Sequence, residues 1–174
     1  MTEPGLLRSG GLALRRAEAG DLASLLALQR ASYAKNRPLL GVEPLPLLAD
    51  YAAVMRDMEV WVSEKDARLV GALILEPRAD DLLIWSIAAD PAVQGSGLGR
   101  ALLAAAEQRA RQLGRTVIRL YTGTPLGHLV AWYGRHGFAV ERIEALSDRS
   151  ITHMIKHLGC AHGEKDHASK EQRT

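Results

Sequence analysis

The sequence is poor in cysteine. Its 174 residues contain only Cys160. That excludes an internal disulfide and fits a reducing compartment. Long apolar runs are also missing: no stretch approaches the ~20 residues of a membrane span. Met1-Thr2-Glu3-Pro4-Gly5 is not a basic segment leading into an apolar core, so no secretory signal is expected. Charge of one sign is lacking too. The net charge is +2, without the basic clusters and interleaved aromatics of a nucleic-acid binder. The expectation is a soluble cytoplasmic protein with no membrane, nucleic-acid or metal partner. It would be a monomer or homodimer.

What is present is globular: 47% apolar and 24% charged residues, in a length that suits one domain with a real core. Pro4, Gly5 and Gly10 mark residues 1–11 as a loose leader. Leu12-Ala13-Leu14-Arg15-Arg16 reads as a first strand. Asp21 is a candidate N-cap for a helix to about Tyr33, with Leu22, Leu25, Leu26 and Leu28 on its buried face. Three prolines and a glycine between Ala34 and Pro46 forbid a regular element there. A second helix follows, about Leu47 to Met58. Val60–Glu64 and Leu69–Leu75 then read as a hairpin about the polar turn Lys65-Asp66-Ala67. With Leu82–Ala88 they make a meander, which a wholly parallel sheet would not contain.

Leu82–Ala88 is almost wholly apolar, as in a strand covered on both faces, and Asp90-Pro91 ends it. Leu98, Leu102, Ala106, Ala110 and Leu113 have helical spacing, with Gly114 as the stop. Between strand and helix lies Val93-Gln94-Gly95-Ser96-Gly97-Leu98-Gly99-Arg100. Glycines let a ligand approach the backbone, and the first N–H groups of a helix have no intrahelical partner. Together these make a phosphate cradle. The spacing is neither the dinucleotide G-x-G-x-x-G nor a Walker loop, since Gly99-Arg100-Ala101 stands where Gly-Lys-Ser/Thr is needed. Thr116–Tyr121 is the next strand, parallel to Leu82–Ala88 across the helix. A short helix from Leu126 to His136, then strands beginning at Phe138 and Ser150, complete a domain over 12–158. Residues 159–174 read as a disordered tail.

Gln94-Gly95-Ser96-Gly97-Leu98-Gly99 resembles the acetyl-CoA signature of the GNAT N-acetyltransferases, (Gln/Arg)-x-x-Gly-x-(Gly/Ala). Ala131-Trp132-Tyr133-Gly134-Arg135-His136-Gly137-Phe138 resembles that family's Ala-x-Tyr-x-x-x-Gly-Phe segment. The resemblance implies an α/β fold with a mixed sheet: antiparallel N-terminal strands, two central parallel strands splayed around acetyl-CoA, and helices on both faces. It implies that Gln94, Gly95, Ser96, Gly97, Leu98, Gly99 and Arg100 hold the pyrophosphate. Ile87, Ala88 and Ala89 would pair with the pantetheine arm through their backbone. Tyr133 would be the general acid toward the departing thiolate, a role open to a phenol of pKa ~10. The irregular stretch before Leu47 would be a lid facing the acceptor. The family carries an Asn one turn before the Tyr, where this sequence has Gly127-His128-Leu129-Val130.

The base is not assigned. Leu82–Ala88 contains no carboxylate, and Glu76, Asp81 and Asp90 read as solvated turn residues at strand ends. His128 reads as a surface or capping residue, and a water chain would also serve. Three functions follow: direct acetyl transfer to an amine of a small molecule or protein, acyl-CoA binding by a regulatory module with little turnover, and nucleotide binding. The glycine spacing disfavours the third.

Overall fold

The computed structural model describes residues 5–159. All but Gly159 of the tail expected from 159 to 174, Cys160 included, lies outside the described residues. One eight-stranded sheet runs through the molecule in the order β1-β2-β3-β4-β5-β6-β8-β7. Its first five strands are antiparallel: β1 (Leu6–Ser9), β2 (Leu12–Arg16), β3 (Glu59–Lys65), β4 (Arg68–Pro77) and β5 (Leu82–Ala89). β5 and β6 (Val117–Gly123) are the parallel pair. β8 (Ser150–His157) lies antiparallel to β6, and β7 (Ala139–Ala145) forms the far edge. The fold is the mixed α/β arrangement that the sequence implies.

Two apolar layers cover the sheet. On one face α4 (Leu98–Gln112) buries Leu102, Leu103, Ala105, Ala106 and Ala110 against Leu7, Leu73, Leu82, Ile118 and Met154. Each fully buried leucine contributes about 1.5–3 kcal/mol relative to exposure. α5 (Gly127–Arg135) lies at the end of this layer through Val130, Trp132 and Tyr133. On the other face α1 (Leu22–Tyr33) and α3 (Tyr51–Asp57) set Leu25, Leu28, Tyr51 and Val54 against Val60, Val62, Ile74 and Ala88. The β3–β4 turn is left-handed at Asp66 and Ala67, the conformation that a tight hairpin requires.

Four expectations are corrected. The supposed leader contains β1, which pairs with β2 and buries Leu7 in the core. Gly10 and Gly11 are the turn between β1 and β2, and Gly5 precedes β1. The proline-rich stretch holds a short helix, α2 (Arg37–Leu40), because Pro38 stands in its first turn, where no N–H is needed, and Gly41 closes it at φ 68°. The helix expected over Leu47–Met58 starts only at Tyr51, where Asp50 caps it by accepting from the Ala52 N–H at 2.9 Å. Asp21 does not cap α1; its carboxylate takes Arg15 and the Glu18 N–H.

Candidate active site

The site begins where β5 and β6 separate. They pair only from Leu82–Ile84 to Ile118–Leu120. Opposite this point β4 and β5 change register: Ile74 pairs with Ser86 and Leu75 with Ile84, so Trp85 is the extra residue of a bulge. A bulge bends its strand, and β5 turns away from β6 after Ile84.

Beyond the bulge the ladder to β4 fixes which backbone groups are free. The Asp90 N–H donates to the Val70 carbonyl at 2.8 Å. Alternation along an antiparallel pair then turns the N–H and C=O of Ile87 and Ala89 away from β4, into the gap. Those of Ala88 face β4, and Ala88 is fully buried. Of the three residues expected to meet the pantetheine arm, Ile87 and Ala89 border the gap and Ala88 does not. The Ala89 N–H already reaches the Ser32 hydroxyl at 3.3 Å.

The glycine turn closes one end of the gap. Gly95 (φ 85°) and Gly97 (φ 86°) are left-handed, and a Cβ at either would meet nothing within 4 Å. The N–H groups of Gln94 and Ser96 donate back to Pro91 and Val93, and that of Ala101 to Gly97. Those of Gly95, Gly97, Leu98, Gly99 and Arg100 find no backbone acceptor among the described residues. These are five donors at the positive end of a fifteen-residue helix, an arrangement that can receive an anion. The Ser96 hydroxyl is turned to the Val93 carbonyl at 2.5 Å, so this residue shapes the turn. The Gln94 side chain meets Lys35 and, at 3.4 Å, the Ala89 carbonyl, linking turn, strand and lid. Gly99 lies beneath the Trp132 ring, 3.5 Å from where its Cβ would stand.

A cavity of about 710 Å³ joins the turn, the gap, α5 and the lid. Tyr133 lines it, its ring edge-to-face with Trp132 (5.0 Å) and Phe138 (5.9 Å). Among the described residues the Tyr133 hydroxyl has no hydrogen-bond partner, so it serves no structural bond. Burial, then Tyr33, pushes the phenol well above its ordinary pKa and keeps it protonated. The Tyr33 hydroxyl meets Ser86 at 3.1 Å, and Ser86 donates to the buried Gln29 at 3.0 Å. Burial raises Tyr33 despite the Ser86 bond, and raises Tyr121 to about 12 with help from Tyr33 and Glu76.

None of the carboxylates weighed as a base lines the cavity. Asp90 accepts from the Ala92 N–H at 2.9 Å. Asp81 is a correction, for it is not a solvated turn residue. It is buried and held by Arg78 at 2.6 Å and by Arg119, which also binds Glu141 at 2.9 Å. His128 does line the cavity and is exposed, one turn before Tyr133. Sequence reasoning missed Trp85, Tyr33 and Tyr121. All three line the cavity, and nothing in the residue pattern marks the bulge at Trp85.

Comparison with known proteins gives the class. The model of the acetyltransferase (GNAT) family matches residues 22–138, and the chain belongs to that family. Its fold is shared with the ribosomal-protein-S18-alanine N-acetyltransferase of Escherichia coli: TM-score 0.68, 19% identity, 89% of this chain and 98% of that one. The PaiA N-acetyltransferase of Thermoplasma acidophilum, solved with coenzyme A, matches at TM-score 0.65 and 20% identity over 83% and 97%. A GNAT acetyltransferase of Elizabethkingia anophelis with acetyl-CoA bound matches at 0.58 and 16%, over the same shares. A search of curated proteins finds no match. No helix among the described residues is long and apolar enough to cross a membrane.

Proposed function

We propose that this chain is an acetyl-CoA-dependent N-acetyltransferase that moves the acetyl group directly to an amine of a small molecule or protein. The observation that carries the reading is the gap between β5 and β6 with the glycine turn at its end, where five N–H groups have no backbone acceptor among the described residues. Among the described residues no atom lies within 4 Å of where a Cβ on Gly95 or Gly97 would stand, which supports a pyrophosphate lying against this turn. Gln94, Gly95, Ser96, Gly97, Leu98, Gly99 and Arg100 would form this cradle, with Arg100 and Lys35 on the cavity wall adding positive charge. The backbones of Ile87 and Ala89 border the path of a pantetheine arm.

Acetyl-CoA supplies an activated thioester, so no covalent enzyme intermediate is needed once amine and thioester are held together. The amine lone pair forms the new C–N bond as the C–S bond breaks. Tyr133 gives its phenolic proton to the departing sulfur and recovers one, through water, from the nitrogen. The Ile87 N–H is a free donor on the cavity side of β5, where the carbonyl oxygen gains negative charge. A second reading, a regulatory module that binds acyl-CoA without efficient turnover, draws support from the absence of a carboxylate on the cavity wall among the described residues.

Two measurements test the proposal. Calorimetry should give acetyl-CoA binding with no comparable binding of ATP or NAD. Protein-dependent release of coenzyme A should then appear with some members of an amine panel. Binding without release would favour the regulatory module; no acetyl-CoA binding would sink both.

A further inference from the structure

The same cavity is also lined by Leu40, Val42 and Leu45 of the stretch before Leu47, Trp85 of the bulge and Tyr121 of β6. Trp85 packs edge-to-face with Tyr51 at 6.1 Å. Among the described residues no carboxylate lines any part of the cavity. Its formal charges are the cations Lys35, Arg100, Arg135 and Arg149, beside the imidazole of His128. Arg149 is already engaged: Nη1 donates to the Glu43 carbonyl at 2.7 Å, and Asp148 holds Nε and Nη2 at 2.9 and 2.7 Å.

We infer that the acceptor is a weakly basic amine on an apolar aromatic body, an arylamine and not an alkylamine. This deepens the acetyltransferase reading and rests on it. An alkylammonium ion would leave water for a cavity whose described wall carries no carboxylate, a costly transfer. On that described wall it would also find no carboxylate to take its proton, and the phenols of Tyr33 and Tyr121, raised by burial, stay neutral. With a lysine-like pKa of about 10.4, only about one molecule in 2,500 is neutral at pH 7. An arylamine arrives neutral and asks nothing of the missing base. Its ring can lie against Trp85 and Tyr121, where offset and edge-on aromatic contacts add to apolar burial.

Aniline and cyclohexylamine test this, each a six-carbon ring with one amino group. With saturating acetyl-CoA at pH 7, coenzyme A release should give a kcat/KM at least tenfold higher for aniline. Calorimetry on the free and the coenzyme A-saturated protein should show aniline binding at least tenfold tighter. Equal or reversed preference in the binding arm overturns the acceptor class, as does binding of neither amine. Release of coenzyme A with cyclohexylamine favoured would leave acetyl transfer standing and remove only the arylamine. Aniline binding without release would do the opposite. Trp85→Leu keeps an apolar wall without the ring. It should weaken aniline binding severalfold and leave acetyl-CoA affinity unchanged; unchanged aniline binding would also overturn the inference.

Discussion

Tyr133 is held by its ring and free at its hydroxyl, and this separates two effects of one substitution. Tyr133→Phe keeps the contacts with Trp132 and Phe138, so folding and acetyl-CoA affinity should change little. If the hydroxyl protonates the thiolate, kcat should fall by about 10²–10⁴. The specificity constant should fall equally, the pattern of an interaction made in the transition state. Turnover within about threefold of the parent, with a true acceptor, would remove the acid role, being far below the general-acid range. Gly97 offers a matched pair of variants. Both Gly97→Asn and Gly97→Asp must accept φ 86°, and the Cβ of either would meet nothing within 4 Å. Asn and Asp tolerate left-handed backbone better than other side chains, so both should fold. Only Asp adds a negative charge where the pyrophosphate would lie. Acetyl-CoA affinity by calorimetry should therefore drop much further for Asp than for Asn. Equal affinity in the two would show that the phosphates lie elsewhere.

At the scale of elements, the gap needs a closed end as much as an open one. Only three residue pairs join β5 to β6. Asp81, just before β5, adds a tie by binding Arg119 of β6 and Arg78 of the β4–β5 turn. Burial alone would raise the Asp81 pKa, but the hydrogen bonds from Arg78 and Arg119 outweigh it and hold the carboxyl below its ordinary value. A depressed carboxyl stabilises the fold above its unfolded pKa of about 3.9 and loses that contribution as pH falls through the folded value. Asp81→Asn should thus cost about 2 kcal/mol at pH 7, the scale of hydrogen bonds to a charged group. A Tm loss of about 4–8 °C is expected in a domain of this size. The deficit should shrink as pH drops below about 4; a constant difference down to pH 2 would mean that packing, not charge, is responsible. Sequence reading treated Asp81 as a solvated turn residue because its partners lie three and thirty-eight positions away, on separate elements. The meander, the parallel pair and the glycine turn were legible because each is written in local patterning. The bulge at Trp85 and the helix at Arg37–Leu40 were not. A bulge depends on the partner strand's register, and Pro38 reads as a breaker until its place in the first turn is known.

For the whole molecule, the largest gap between sequence and structure lies at the sheet's edge. Gly5 and Gly10 look like the punctuation of a leader, yet they flank β1. Only Leu7 of this short strand enters the core fully, too little periodicity to announce a strand. Its consequence reaches across the fold, because β1 packs on α4, the helix that carries the glycine turn. Leu7 is 1% exposed and shares one cluster with Leu102, Leu103 and Ala106 of α4. Leu7→Ala removes buried methyl groups and leaves a cavity, a change that typically costs 2–5 kcal/mol. At about 2–4 °C per kcal/mol, Tm should fall by roughly 10 °C. A leader outside the core would give a shift of about 2 °C or less, as exposed substitutions usually do. Saturating acetyl-CoA should raise Tm in the parent and in Leu7→Ala alike, since a ligand bound only to the native state adds the same free energy wherever its site is intact. Loss of that rise in Leu7→Ala would show that β1 also sets the position of the cradle at the start of α4, and would extend the site to the first strand of the sheet.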